Sequence, residues 1–110
     1  MNLDQVLNRA IDVRNRYGDL NRHEGRREWC LQDYMLGFVG DVGDLAKLVM
    51  AQDGARDVQD LRGAIEHELS DCLWSVVILA DRLHVDLGDA FSRTMDDLEC
   101  RIAAQLDGGG

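Results

Sequence analysis

Four stretches of the chain repeat apolar residues at i, i+3, i+4 and i+7, and the sequence contains no proline. That spacing draws one apolar stripe along a helix of 3.6 residues per turn. Strict period-2 alternation of β-branched residues, which would mark half-buried strands, is absent. The pattern predicts an all-α fold of the four-helix-bundle type. At 110 residues the chain is expected to form one domain. A chain this short buries a smaller fraction of its surface than a large one, so homo-oligomerisation is expected to complete the core. The domain is expected to span residues 1–106, with 107–110 a disordered Gly-rich tail, because Gly108, Gly109 and Gly110 have nothing to bury.

The first helix is expected from about Leu3 to Tyr17, with Leu3, Val6, Leu7, Ala10 and Ile11 as its stripe and Gly18 as its C-terminal stop. A polar, arginine-containing loop from Asp19 to Arg27 follows. The second helix is expected from about Trp29 to Gln52, with Leu36, Val39, Val42, Leu45, Ala46, Leu48 and Val49 on its apolar side and Asp53-Gly54 at its end. Gly37, Gly40 and Gly43 fall inside it. Each costs roughly 0.5 to 1 kcal/mol relative to Ala, so close approach of either another helix or a ligand is expected there. The third helix, from about Asp60 to Leu83, carries Leu61, Ile65, Leu69, Cys72, Val76, Leu79, Ala80 and Leu83 on one broad face and is expected to be central. Asp86 is the candidate N-cap of a fourth helix striped by Phe91, Met95, Leu98, Ile102 and Leu106.

Two acidic pairs stand out. Asp41 and Asp44 are three apart on the second helix, and Glu68 and Asp71 are three apart on the third, so each pair projects from one side of its helix. Both border the apolar stripes rather than the outer faces. A carboxylate taken out of water costs several kcal/mol unless it is paired or coordinates a cation. Lys47 is the single lysine of the chain, and no Lys or Arg lies on the third helix between Arg62 and Arg82. Two readings stay open: the acids form faces that meet arginines of a neighbouring helix or subunit, or they hold a hard divalent metal. Mg²⁺ suits the second reading, since it takes carboxylate oxygens and is commonly completed by substrate phosphates.

A net charge of −9 disfavours nucleic-acid polymers and anionic membrane surfaces, both of which need clustered Lys or Arg. Three cysteines, Cys30, Cys72 and Cys100, lie far apart without a CxxC, and His23, His67 and His84 are dispersed, so neither a disulfide framework nor a zinc site is expected. With no signal-like start and no long apolar run, a cytoplasmic protein with no membrane span is expected.

The runs Gly40-Asp41-Val42-Gly43-Asp44-Leu45 and Glu68-Leu69-Ser70-Asp71-Cys72-Leu73-Trp74 resemble the paired acidic motifs of the MazG-like nucleotide pyrophosphohydrolases, over about Trp29 to Arg101. The resemblance implies that Asp41, Asp44, Glu68 and Asp71 are the catalytic Mg²⁺ ligands, with Mn²⁺ a substitute. It implies hydrolysis of a nucleoside triphosphate to the monophosphate and pyrophosphate, the deoxynucleotide or a non-standard nucleotide being the expected substrate. It also implies a homodimer or homotetramer. Two departures are visible. Positions 41 and 44 are Asp where the family usually has Glu, which shortens each reach by one methylene. On the last helix, Thr94 and Leu98 stand where some relatives carry a phosphate-holding Lys and Asn. Lys47, Arg93 and Arg101, together with Arg22, Arg26 or Arg27 of the loop, are the candidate substitutes for that contact. Trp29 is a candidate for stacking on a base, or else a packing anchor. The alternative function is a non-catalytic nucleotide-binding or regulatory bundle.

Overall fold

A computed structural model describes residues 1–52, 54 and 60–108. It contains four helices: α1 (Leu3–His23), α2 (Leu31–Gln52), α3 (Leu61–Arg82) and α4 (Leu87–Gly108). No strand occurs among the described residues, in keeping with the all-α expectation. None of these helices is long and apolar enough to cross a membrane.

Local chemistry sets the helix ends. Asn2 caps α1 by accepting from the Gln5 amide at 2.9 Å, and the Gln5 side chain returns the bond to the Asn2 amide at 2.8 Å, a reciprocal capping box. At the start of α2, Asp33 accepts from the Cys30 amide at 2.9 Å. Asp86 accepts from the Asp89 amide at 3.0 Å at the start of α4, the N-cap role expected of it. Between α3 and α4, His84 takes a left-handed conformation with φ of 58°.

Two boundaries differ from the sequence expectation. Helix α1 does not stop at Gly18 but continues to His23, so the loop begins at Glu24. A helical glycine costs only about 1 kcal/mol. Against that cost, Arg22 lays its guanidinium 3.5 Å from where a Gly18 Cβ would stand and pairs with Asp19 and Glu28. At the other terminus, α4 runs on through Asp107 and Gly108. Asp53, expected at the end of α2, lies outside the described residues.

Helices α2 and α3 form the most extensive contact, and α1 packs on α3. Tyr34, early in α2, meets Trp74 and Arg82, late in α3, whereas Asp41, later in α2, meets the earlier Glu68; the two helices are therefore antiparallel. Between the three helices lies a small core of Ala10, Tyr34, Val77 and Ile78, with Leu7, Ile11, Trp74, Leu79 and Leu87 packed against it. Helix α3 is central, as expected, but by a different face. Val77 and Ile78 are its most buried residues, while Leu69 and Leu83 of the expected stripe are about half exposed, at 52% and 55%. Because α1 and α2 approach α3 from two sides, burial follows the seams rather than the single most apolar stripe.

Helix α4 touches this core only at its start, where Leu87 packs in and Gly88 sits beside Leu3. No residue of α4 is buried, and the molecule is elongated, at 63 × 40 × 28 Å.

Candidate functional site

The seam between α2 and α3 explains where the acids stand. On α2 the shielded positions run Tyr34, Phe38, Asp41, Leu45 and Leu48, spaced four, three, four and three, the period of a helix facing one neighbour. On α3 the matching run is Ala64, Glu68, Asp71, Ser75 and Ile78. Asp41, Glu68 and Asp71 thus occupy core-register positions, where an apolar residue would otherwise pack. Asp44 lies one turn beyond Asp41, at the exposed edge.

The structure gathers all four acids. One carboxylate oxygen each from Asp41, Asp44 and Glu68 lie within 4.8 Å of one another, and ligand atoms of His67, Glu68 and Asp71 satisfy the same limit. Glu68 belongs to both groups. Its Oε2 is buried and has no hydrogen-bond partner among the described residues. Removal from water, followed by the negative charges of Asp41, Asp71 and Asp44, raises the Glu68 carboxyl above its ordinary range. Asp41 is raised for the same reasons, first burial and then Asp71 and Asp44. Burial beside these acids also raises the Cys72 thiol, so it is kept protonated and unreactive. Of the two open readings, arginine pairing fails within this chain: among the described residues the nearest basic partners are Lys47, 4.0 Å from Asp44 Oδ1, and His67, 3.1 Å from Asp71 Oδ2. An orphaned buried oxygen amid like charges fits a hard divalent cation, which needs oxygen donors and cancels the repulsion.

Asp41 and Asp71 also line one end of a groove of about 1770 Å³. Further along, its walls are aromatic and then basic. Trp29 meets Tyr34 edge to face with centroids 5.4 Å apart, and Tyr34 meets Trp74 at 6.0 Å. Gly37 lets the Trp29 ring lie against α2, since a Cβ there would stand 3.3 Å from the ring. Gly40 and Gly43, in contrast, face open space. Arg22, Arg26, Arg27 and Arg82 supply the basic wall. Arg27 is held by both oxygens of Asp33 at 2.6 and 2.8 Å, and that pairing drives the Asp33 carboxyl far below its usual range. Arg82 lies over the Tyr34 ring, 5.9 Å from its centroid.

The other expected substrate contacts are placed differently. Trp29 lines the groove, and Lys47 sits at the exposed edge of the acidic cluster. Arg93 and Arg101 lie on exposed α4, paired one turn back with Asp89 at 2.9 Å and Asp97 at 3.1 Å, and do not line the groove of this chain. Sequence reasoning missed Tyr34 and Arg82 in the groove and His67 at the cluster. For His67 a signal existed: it stands four residues before Asp71, the spacing that puts two side chains one above the other on a helix.

A MazG nucleotide pyrophosphohydrolase domain matches residues 31–103, a span that contains the whole α2–α3 seam and most of α4. The chain belongs to the MazG family. As a MazG nucleotide pyrophosphohydrolase domain it is a hydrolase domain by family. It is also similar to dCTP pyrophosphatase 1 of Rattus norvegicus, 39% identical over 83 residues that cover 71% of this chain and 49% of that protein. Against dCTP pyrophosphatase 1 of Mus musculus the identity is 35% over 83 residues, with the same coverage. The MazG chain thus spans about half the length of the curated relatives it matches.

Proposed function

We propose that the chain hydrolyses a nucleoside triphosphate to the monophosphate and pyrophosphate in a divalent-metal-dependent reaction, with Asp41, Asp44, Glu68 and Asp71 as the metal-holding set. The observation that carries this reading is the Glu68 Oε2, buried near three other carboxylates and without a hydrogen-bond partner among the described residues. Such an arrangement is costly for a structural protein and useful for one that binds a cation. Bound Mg²⁺, or Mn²⁺ in its place, would supply charge neutralisation for the phosphate oxygens and a polarised water.

The residues of the chain do the rest. Asp41 and Asp71 border the groove, so a triphosphate seated there has its reacting end at the acids and its base toward Trp29 and Tyr34. Trp29, 46% exposed, offers a ring face for stacking. Arg82 and the arginines of the α1–α2 loop lie beyond the aromatics, so their charge faces the base end of the groove rather than the reacting phosphates. The carboxylates orient the attacking water, and one of them accepts its proton. The name of the relatives makes dCTP the first nucleotide to assay.

Self-association belongs to the same proposal. Helix α2 carries a second apolar stripe, Met35, Val39, Val42 and Val49, all exposed, and α4 exposes Phe91, Leu98, Ile102 and Leu106. Both stripes keep helical spacing, and a homodimer or homotetramer would cover them. The test is a nucleotide panel incubated with the protein and Mg²⁺, with products identified by chromatography. Release of monophosphate and pyrophosphate is expected. Calorimetric binding without turnover would instead make the chain a nucleotide-binding bundle.

A further inference from the structure

His67 has no task in that proposal, yet it stands beside the metal-holding set. It lies four residues before Asp71, and Glu68 lies three before Asp71, so each neighbours Asp71 on the surface of α3, from its two flanks. Its Nε2 is 3.1 Å from Asp71 Oδ2. An ordinary i, i+4 His–Asp pair would end there. Here a ring nitrogen also stands within 4.8 Å of a Glu68 oxygen that is itself within that distance of Asp71, which makes a three-donor face. The companion face, Asp41, Asp44 and Glu68, is built only of oxygens. The two share Glu68 and nothing else, and the unsatisfied Oε2 means that this shared carboxylate has donor capacity left over.

We infer that His67, Glu68 and Asp71 form a cation locus with a nitrogen donor, joined through Glu68 to the oxygen-only locus of Asp41 and Asp44. The inference rests on the metal reading above. It gives the two halves of the site different tastes. Oxygen-only donors suit Mg²⁺, which sheds its waters reluctantly and gains little from imidazole. An added imidazole nitrogen shifts preference from Mg²⁺ toward first-row ions, of which Mn²⁺, lowest in the Irving–Williams order, is the one that also suits a carboxylate-rich shell. The His67 locus therefore selects Mn²⁺ over Mg²⁺, and α3 tunes metal choice while α2 keeps general affinity for hard cations. His67 is mostly exposed, at 72% of its side chain, so its removal leaves the α2–α3 packing intact.

The test is pulsed electron paramagnetic resonance on the full chain loaded with Mn²⁺, paired with calorimetric titration of Mn²⁺ and of Mg²⁺. Neither readout depends on turnover. The wild-type protein is expected to show nitrogen modulation on the Mn²⁺ signal. His67→Ala, with its helicity verified by circular dichroism, is expected to lose that modulation. The variant should bind Mn²⁺ about tenfold more weakly or worse, with Mg²⁺ affinity changed by less than about twofold. Tight Mn²⁺ binding without nitrogen modulation, or modulation that persists in His67→Ala, overturns the inference and leaves the four-carboxylate site standing. Failure of the wild-type protein to bind either ion overturns both.

Discussion

Trp74 on α3 donates its indole Nε1 hydrogen to the Ala10 carbonyl oxygen of α1 at 3.0 Å, and the same ring meets Tyr17 and Tyr34 at centroid distances of 6.1 and 6.0 Å. One side chain thus ties three helices together beside the groove. Trp74→Phe removes the bond and part of the contact area. It is expected to destabilise the chain by about 1 to 3 kcal/mol in urea denaturation, one net hydrogen bond plus a partly filled gap. A change inside experimental scatter would mean that α1 is not held at this point.

Metal-free stability should depend on pH in a direction set by Glu68. Its carboxyl is raised above the ordinary 4.5 in the folded chain. Below 4.5 it is protonated whether the chain is folded or not, and it contributes no penalty. As pH rises through the folded value, the unfolded chain ionises freely while the folded one resists, so stability falls. Glu68→Gln is neutral and brings amide donors that neighbouring carboxylates can accept. The metal-free variant is therefore expected to melt higher than wild type at pH 7 and no higher at pH 4. Added Mg²⁺ should reverse the order at pH 7, because wild type gains a ligand-linked stabilisation that the variant has lost. Equal thermal shifts with Mg²⁺ in both proteins would remove Glu68 from the metal-holding set.

For turnover, Asp41→Asn and Glu68→Gln should each lower kcat by at least about a hundredfold, the size of effect that follows loss of a positioned charge at a reacting centre. Steady-state kinetics on the best nucleotide of the panel reads this directly. Full activity in Glu68→Gln would show that the reaction is run elsewhere.

Trp29→Ala should act on binding instead. Base–aromatic stacking contributes about 1 to 3 kcal/mol, and stacking remote from the reacting phosphate holds substrate and transition state alike. KM is expected to rise about tenfold with kcat little changed. A lowered kcat at constant KM would place Trp29 outside the base contact.

The exposed stripe of α4 gives a prediction about assembly. Ile102 is 55% exposed in the middle of that stripe. The proposed assembly expects the wild type to sediment as an oligomer and Ile102→Asp, its helicity unchanged, as a monomer, because a charge cannot be buried unpaired at an apolar interface. An unaltered oligomer would put the contact on the α2 stripe.

Much of this molecule was legible in its sequence because helix formation is local. The 3.6 period marked four helices, Asp86 announced the start of α4, and the i, i+3 acids beside apolar residues marked the cluster that the α2–α3 seam gathers. Errors came where a local signal was weak against its neighbours. Gly18 looked like a stop, but a single helical glycine costs too little to end a helix whose Arg22 is paired on both sides. For Arg93 and Arg101 the structure shows an acid one turn back on the same exposed helix and a place outside the groove of this chain.

What the sequence determined by itself was the set of helices, their acids and the family, since each depends on spacing along one chain. What only the tertiary structure decided was which faces meet. The α2–α3 seam turned Asp41, Glu68 and Asp71 into core-register positions. It left one Glu68 oxygen with no partner among the described residues. Apart from that seam, the segment before α2 folds back so that the Trp29 ring lies against Gly37 in the groove wall. The meeting of Asp41 and Asp44 with Glu68 joins residues from different helices, and the physical forces that shape it, burial and like-charge repulsion, act through space rather than along the chain.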